Sequence, residues 1–301
     1  MALHAGYAQG VGETIQVESS LAVVRDHSRL FSDFTFVYPV ISRRSQGLSI
    51  GVNLNPDKVC NFDCVYCEVD RNVPARATEV NLAQACDELR VMINLARDGG
   101  LAKEPKFDEV PKLTRNIRDI AFSGDGEPTM IHNFDEVVRA VAEVKREAGL
   151  DDTKIVLITD AAGLDKASVR SGLKEMDANN GEVWAKLDAG TEEYFKQVNR
   201  TSVKFQRVLD NLCATAKARP ILIQSLFLKI HGNPMSRKEL KAYCERLNDI
   251  TAVGGQIREV QAYTVARPAP EAFATRLAKE ELEEMARVIH ANTGLKVETY
   301  D

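Results

Sequence analysis

Segments with the pattern of buried strands alternate with segments patterned as amphipathic helices along most of this chain. Short apolar, β-branched runs predict the strands, and apolar residues spaced three or four apart predict the helices. The predicted strands are Leu48–Leu54, Ile117–Ser123, Lys154–Thr159, Glu182–Asp188, Ile221–Lys229 and Glu259–Val265. The predicted helices are Glu79–Arg97, Asn133–Glu147, Leu164–Glu175, Val203–Ala218, Ser236–Leu247 and Glu280–Asn292. Such alternation implies an α/β fold of parallel strands joined by right-handed crossovers.

Two stretches fall outside this alternation. Met1–Gly47 has weak periodicity, and we expect an extension that packs on the core and contributes one strand at Thr35–Val40. Leu101–Arg118 is polar and contains two prolines, so we predict a surface insertion or loop. The expected organisation is an N-terminal extension (1–47), a core (48–268) and a C-terminal helical segment that packs on the core (269–301).

Three of the six cysteines lie within eight residues, as Cys60, Cys64 and Cys67. Thiolates at this C-x3-C-x2-C spacing can hold one iron–sulfur cluster. Because such clusters usually take four thiolates, three leave one iron open to another ligand, as in catalytic metal sites. A structural zinc site is the first competing interpretation, but such sites usually combine two Cys-x2-4-Cys or His-x3-5-His ligand pairs. The second pair is missing here, because the five histidines are scattered singly. Unligated thiols, or a redox pair of Cys64 and Cys67, are the other interpretations.

Cysteine use and charge bear on the compartment and on partners. Cys86, Cys213 and Cys244 each lie among apolar residues of a predicted helix, so we expect core positions rather than a disulfide framework. The chain has 39 basic and 44 acidic residues, and the resulting net charge of −5 disfavours broad non-specific nucleic-acid binding. This net charge does not exclude a local basic face that binds RNA. The chain has no apolar run of about 18 residues and no secretory pattern. A cytoplasmic protein without membrane attachment is expected.

Polar residues are predicted where the parallel strands end, which is where such sheets bind ligands. Gly124 and Gly126 permit close backbone approach, and Glu127 can accept hydrogen bonds from an ammonium group. The candidates that follow or end other strands are Thr159, Asp160, Lys186, Asp188, Gln224 and Ser225. For each of these residues the alternative is a turn, a surface salt bridge or a satisfied core contact. Their common position at one rim predicts a single site.

The cysteine spacing, with Tyr66 immediately before the last cysteine, resembles the signature of the radical S-adenosylmethionine superfamily. Within it, Ser42-Arg43-Arg44 and the run from Gly51 to Glu68 are similar to the branch related to wyosine-type tRNA synthases. The resemblance extends from about Tyr38 to Pro268. It implies a partial (β/α)6 barrel, which periodicity alone does not distinguish from an open doubly wound sheet.

The resemblance also implies how a cofactor is held. Cys60, Cys64 and Cys67 would bind a [4Fe-4S] cluster whose open iron chelates the amino and carboxylate groups of S-adenosylmethionine. Ser123, Gly124, Asp125, Gly126 and Glu127 resemble the segment that holds the methionine amino group, with Asp125 where many members have glycine. The further implied contacts are Tyr66 at the adenine, Thr159 and Asp160 at the ribose or ammonium, and Lys186 and Asp188 at the carboxylate and ribose.

The implied activity is that of an oxidoreductase which cleaves S-adenosylmethionine reductively, so that a 5′-deoxyadenosyl radical abstracts hydrogen from a substrate. An electron donor of flavodoxin or ferredoxin type is expected. Members of this branch that act on tRNA carry further N-terminal cysteines, and Met1–Val59 contains none. The substrate is therefore open between a peptide, an RNA and a small molecule. The alternatives are an RNA- or tRNA-modifying member and a non-enzymatic iron–sulfur module for electron transfer or structure.

Four further residues are assigned no role from the sequence. Arg43 and Arg44 lie either in a solvated turn or beside an anionic ligand or the cluster. His231 is interpreted as a turn residue with proton transfer as the alternative, and Arg267 as an ordinary loop arginine or a residue lining the substrate side of the site.

Overall fold

The secondary structure follows the predicted alternation closely in the computed structural model, which describes Val23, Arg29 and residues 31–301. The strands are β1 (Val37–Ser42), β2 (Gly47–Val52), β3 (Ile117–Phe122), β4 (Lys154–Thr159), β5 (Gly181–Lys186), β6 (Ile221–Leu226), β7 (Lys229–Ile230), β8 (Asn233–Pro234), β9 (Ile257–Tyr263), β10 (Ala274–Thr275) and β11 (Val297–Tyr300). The helices are α1 (Leu82–Asp98), α2 (Pro111–Thr114), α3 (Phe134–Glu147), α4 (Ala167–Asp177), α5 (Glu192–Asn199), α6 (Phe205–Ala218), α7 (Arg237–Ala252) and α8 (Lys279–Thr293). The glycine-rich start of the N-terminal extension lies outside the described residues.

The main sheet is a mostly parallel half-barrel of eight strands in the order β1-β2-β3-β4-β5-β6-β9-β11. Each parallel strand is added on the same side of the previous one, and β1 pairs antiparallel with β2. A doubly wound sheet must reverse its strand order, and this sheet does not. Because the crossovers are right-handed, unreversed order places the crossover helices on one face. The partial barrel is therefore confirmed, and β1 is the strand expected near Thr35–Val40.

Alternation along each strand separates the side chains into two layers. Side chains that face the helices form the large core with them, and examples are Ile50, Ile120, Ile155, Val183 and Ile223. Side chains of the other parity form a separate cluster inside the half-barrel, consisting of Ala121, Val156, Trp184 and Leu222 with Ile158 packed against it. Polar residues that lie an even number of positions from these side chains on the same strand also face the interior of the barrel. Lys186, two residues after Trp184 on β5, is an example.

The segment Leu101–Arg118 was predicted as a surface loop, and this prediction is wrong. Residues 101–103 and 105–107 form 3-10 turns that lead into α2. Four apolar side chains of the segment are buried in the main core: Leu101, Phe107, Val110 and Leu113. Pro105 and Pro111 begin short helices, where a missing N–H costs nothing. The polar composition concealed the apolar side that anchors the segment.

Substitution of Phe107 tests this packing. Its side chain is fully buried, so we expect Phe107→Ala to lower the free energy of unfolding by about 3–5 kcal/mol, the usual cost of emptying an aromatic core position. Lys103→Ala, at an exposed position of the same segment, should change it by less than about 0.5 kcal/mol. Urea unfolding of both variants measures the difference, and equal stabilities would mean that the segment is a surface loop after all.

The short elements α2, β8 and β10 were not predicted from the sequence, and neither were one longer helix and one edge strand. Helix α5 follows β5 and precedes α6, and strand β11 pairs in parallel with β9 at the edge of the sheet. The C-terminal segment 269–301 therefore adds a strand to the sheet as well as the expected helix. None of the helices in the described part of the chain has the length and apolar character needed to cross a membrane.

Candidate functional site

A cavity of about 340 Å³ lies at the carboxyl ends of the parallel strands. Most of the predicted site residues line it: Cys60, Cys64, Tyr66, Cys67, Ser123, Gly124, Asp125, Gly126, Glu127, Thr159, Asp160, Lys186 and Gln224. They come from the loop after β2 and from the ends of β3, β4, β5 and β6, so the strand-end rule brings together residues far apart in sequence. Asp188 and Ser225 do not line this cavity.

The cysteine loop, residues 60–67, is held in place by backbone contacts with the end of α5. The amide of Asp63 donates to the carbonyl of Asn199 at 3.0 Å, and that of Val65 donates to the carbonyl of Val198 at 2.9 Å. Within the loop, the amide of Cys67 donates to the carbonyl of Cys64 at 2.9 Å. The loop is therefore preorganised by an element that lies more than a hundred residues away in sequence.

The three thiols share the cavity but differ in their surroundings. Burial raises the pKa of Cys60 to about 12 and also raises the pKa of Cys64, so both are protonated at neutral pH and must lose a proton to bind iron. Among the described residues, no three histidine, cysteine or acidic side chains converge closely enough to hold a single metal ion. The cysteine ligands of a [4Fe-4S] cluster need not converge on one point, because they bind different iron atoms.

Two glycines allow the segment after β3 to lie against residues 53–59, which connect β2 to the cysteine loop. A Cβ at Gly124 would lie 2.2 Å from Oδ1 of Asn53, and one at Gly126 would lie 1.9 Å from the carbonyl oxygen of Val59. Both distances are far below van der Waals contact, so only glycine fits at these positions. The close backbone approach at these glycines is thus made to the segment that leads into the cysteine loop.

Asp125 lines the cavity between the two glycines. Its carboxylate accepts hydrogen bonds from Nη1 of Arg29 at 2.9 Å and from Nδ2 of Asn53 at 2.8 Å. Its own amide donates to Oδ1 of Asn53 at 3.1 Å. Asp125 therefore ties the N-terminal extension, through Arg29, to the rim of the cavity.

Glu127 is buried and already surrounded by donors from the chain. Its Oε1 accepts hydrogen bonds from the hydroxyls of Thr129 and Thr159, both at 2.6 Å, and from the amide of Thr129 at 3.0 Å. Its Oε2 accepts from the amide of Asp160 at 2.8 Å. The predicted ammonium acceptor thus fastens the end of β4 to the segment after β3, and Thr159 serves this contact.

Asp160 presents the unsatisfied carboxylate oxygen of the cavity. Its Oδ1 accepts from the amide of Ala162 at 2.8 Å, whereas its Oδ2 is buried and has no hydrogen-bond partner among the described residues. Burial, and then the neighbouring charge of Glu127, raise the pKa of Asp160 well above its ordinary value. A buried acceptor without a partner calls for a donor from a ligand, and a cationic donor would also bring this pKa down.

Tyr66, Lys186 and Asp188 form one buried network. Nζ of Lys186 lies 3.3 Å from Oδ2 of Asp188 and 4.6 Å from the centre of the Tyr66 ring. The Tyr66 hydroxyl donates to the same carboxylate oxygen. Burial acts to lower the pKa of Lys186, but the charge of Asp188 outweighs it and raises that pKa, so the side chain is an ammonium. Asp188 lies behind Tyr66 and Lys186 and orients them from outside the cavity.

Gln224 and Ser225 face opposite sides of β6, as adjacent strand residues must. Gln224 lines the cavity and donates from Nε2 to Oε1 of Gln261 at 2.9 Å. The Ser225 hydroxyl donates to the carbonyl of Leu187 and lies within hydrogen-bond distance of the Tyr243 hydroxyl, at 2.6 Å in both cases. Ser225 therefore belongs to the contact between the sheet and α7, which corrects its predicted place in the site.

The residues without an assigned role have different surroundings. Arg44 lines the cavity, with its guanidinium carbon 5.6 Å from the ring centre of Trp184 and 5.4 Å from that of Tyr263. Arg43 also lines the cavity and donates to the carbonyl of Asp301. His231 does not line the cavity and stacks on Phe273 at 4.8 Å. Arg267 forms an ion pair with Glu68, which does line the cavity.

Sequence reasoning missed Arg29, Asn53 and Asn199 as site residues. Asn53 lies in the run that carried the superfamily resemblance, so its position was a usable signal. Arg29 and Asn199 reach the site through contacts that span 96 and 135 residues, with Asp125 and Cys64 respectively. No local pattern in the sequence marks such contacts.

Comparison with solved structures identifies the class of fold. A structure of TYW1 with a lysine–pyruvate adduct bound superposes with a TM-score of 0.55 at 13% sequence identity, covering 82% of this chain and 74% of that chain. A crystal structure of archaeal TYW1 gives a TM-score of 0.50 at 11% identity, covering 82% and 73%. The chain therefore shares its fold with TYW1, and the fold that the sequence resemblance implied is confirmed.

Sequence comparison adds particular relatives. A UPF0026 protein of Helicobacter pylori (strain 26695) is 25% identical over 246 residues, 81% of this chain and 70% of that protein. Another UPF0026 protein, from Methanocaldococcus jannaschii, is 27% identical over 179 residues, 58% of this chain and 48% of that protein. A protein named GTPase Obg from Brachyspira hyodysenteriae is 25% identical over 264 residues. This match covers 86% of the present chain but only 34% of the length of that relative. No family model matches the chain.

Proposed function

We propose that this protein is a radical S-adenosylmethionine enzyme in which Cys60, Cys64 and Cys67 hold a [4Fe-4S] cluster. The observation that carries the proposal is the buried Oδ2 of Asp160, which lacks a partner among the described residues and lines the same cavity as the three cysteines. A cofactor that carries an ammonium group supplies the donor this oxygen needs. S-adenosylmethionine carries such a group beside a carboxylate, and the cavity offers Lys186 for that carboxylate.

The residues divide the binding of such a cofactor between them. Asp160 accepts a hydrogen bond from the ammonium, and Lys186, held as a cation by Asp188, pairs with the carboxylate. Gly124 and Gly126 let their strand-end segment pack against Asn53 and Val59, which lie between β2 and the cysteine loop. When bound, the cluster and cofactor supply a reductively formed 5′-deoxyadenosyl radical that takes hydrogen from the substrate. The apolar cluster around Trp184 keeps water from the interior of the barrel.

The lysine adduct of the TYW1 structure raises the question of a lysine nucleophile in this chain. Among the described residues, Lys186 is the lysine that lines the cavity. A lysine attacks a carbonyl group only as a neutral amine, and the charge of Asp188 raises the pKa of Lys186. We therefore assign Lys186 to cofactor binding and propose no covalent adduct at it.

The proposed enzyme requires an external electron donor, for which we propose a flavodoxin- or ferredoxin-like protein. Its substrate is a peptide, an RNA or a small molecule, and we propose the cytoplasm as its location because a reducing compartment protects thiolate-bound clusters. An RNA substrate would make binding weaken steeply with salt, with a slope of about −0.7 per phosphate contact for single strands on logarithmic axes. Binding that does not respond to salt would exclude it.

The experiment that tests the proposal uses anaerobically reconstituted, dithionite-reduced protein. We expect iron and sulfide to bind, and we expect a low-temperature electron paramagnetic resonance spectrum that changes when S-adenosylmethionine is added, because the cofactor binds the open iron. Slow release of 5′-deoxyadenosine, followed by chromatography, is the expected chemical product. A cluster that is indifferent to the cofactor, or zinc in place of iron, would instead indicate an electron carrier or a structural metal module.

A further inference from the structure

The side-chain amide of Asn199 joins the cysteine loop to the Lys186–Asp188 network. Its Nδ2 lies 3.3 Å from Sγ of Cys64 and 3.0 Å from Oδ2 of Asp188. The residue is only 1% exposed. No other asparagine amide is within hydrogen-bond distance of a cysteine sulfur in the described part of the chain.

The orientation of this amide follows from the chemistry of its neighbours. A carboxylate accepts hydrogen bonds only, and an iron-binding thiolate does the same. The NH₂ end of Asn199 must therefore face Cys64 and Asp188, because the opposite orientation would place a carbonyl oxygen against two acceptors. Its Oδ1 then points away from them, and it is buried without a partner among the described residues.

The backbone fixes the amide relative to the sulfur. Asn199 is the last residue of α5, and its carbonyl accepts the amide of Asp63 from the cysteine loop at 3.0 Å. The next residue, Arg200, ends the helix in the left-handed region at φ 42°. Arg200 also donates from Nε to the carbonyl of Asp63 at 2.8 Å. These contacts join the helix end to the loop and so position the Asn199 amide beside the sulfur of Cys64.

We propose that Asn199 is a positioning residue that sets the reduction potential of the cluster, an inference that rests on the cluster assignment above. A hydrogen bond to a ligating sulfur stabilises the more negative, reduced state and so raises the potential. One amide N–H makes this bond to Cys64. The other donates to Asp188, which holds Lys186, so that cluster and cofactor pocket share one hydrogen-bonded chain.

The test measures the midpoint potential of the reconstituted protein by anaerobic redox titration. Asn199→Ala removes the donor, while Asp188 keeps the Tyr66 hydroxyl and the amide of Leu226. We expect the potential to fall by about 59 mV, a tenfold change in a one-electron equilibrium constant. The matched control is Asn211→Ala, a buried asparagine whose amide contacts the carbonyls of Ala161 and Ala162 and no sulfur. Its potential should equal that of the unaltered protein.

A second measurement needs no variant. Protein labelled with ¹⁵N in asparagine side chains should show a nitrogen coupling to the reduced cluster in pulsed electron paramagnetic resonance. Absence of that coupling, or equal potentials for Asn199→Ala and Asn211→Ala, would overturn the role of Asn199 and leave the cluster assignment intact. Failure of the unaltered protein to bind iron would instead overturn the cluster assignment itself.

Discussion

Replacing Cys64 with alanine should reduce the iron bound after anaerobic reconstitution by about tenfold or more, since metal affinity and site folding depend on a complete ligand set. In the proposed site three thiolates would hold the [4Fe-4S] cluster, one fewer than usual, and the variant would offer only two. Cys64 is also the cysteine whose sulfur contacts Asn199. Colorimetric iron and sulfide assays on the purified variant measure the loss directly.

The matched control is Cys86→Ala. Cys86 is buried on α1 as part of the main core, away from the cavity. Removing its sulfur should lower the free energy of unfolding by about 1 kcal/mol, a typical cost for a small core deletion, and leave iron binding unchanged. Equal iron loss in both variants would show that Cys64 acts through folding and would overturn the ligand assignment.

The order of strands and helices could be predicted because short segments of the sequence specify each element. Runs such as Lys154–Thr159, KIVLIT, are β-branched and apolar enough to specify a buried parallel strand by themselves. Strand β11, VETY, is short and half polar, and its place is fixed only by pairing with β9. The segment Leu101–Arg118 was misjudged for the same reason, since the core that receives Phe107 is built by distant elements.

The sequence predicted which residues lie together at the cavity, but it did not predict which contacts each of them makes. The strand-end rule needs only the order of elements, so it brought Glu127, Asp160 and Lys186 to one cavity. Which carboxylate is free for a ligand depends on the hydroxyls of Thr129 and Thr159, which satisfy Glu127 and leave Oδ2 of Asp160 without a partner in the described structure. That distinction lies in long-range contacts, which the pattern of the sequence does not encode.

Removing the charge of Lys186 should weaken the binding of S-adenosylmethionine by about 10–100-fold, the equivalent of the 1.5–3 kcal/mol that a charged hydrogen bond contributes. Lys186→Met keeps an unbranched side chain of similar size but loses the ammonium and its contacts with Tyr66 and Asp188. The cluster should remain, because Lys186 makes no hydrogen bond to a cysteine sulfur in the described structure and all three thiols are kept. Isothermal titration of the cofactor into reconstituted protein gives the affinity, and iron content gives the cluster.

The variant also breaks a buried ion pair, so stability must be separated from binding. Breaking such a pair costs up to about 3–5 kcal/mol, but Asp188 keeps donors from Tyr66, Asn199 and the amide of Leu226, which favours the lower end. Lys145→Met is the matched control. Lys145 is buried on α3 and donates to the carbonyls of Asp151 and Asn179, away from the cavity.

Loss of stability alone would weaken cofactor binding in both lysine variants. Loss of a direct contact would weaken it only in Lys186→Met. Normal affinity in Lys186→Met would mean that the carboxylate of the cofactor is bound elsewhere in the cavity. Arg44 would then be the next cation to test, because it lines the same cavity between Trp184 and Tyr263.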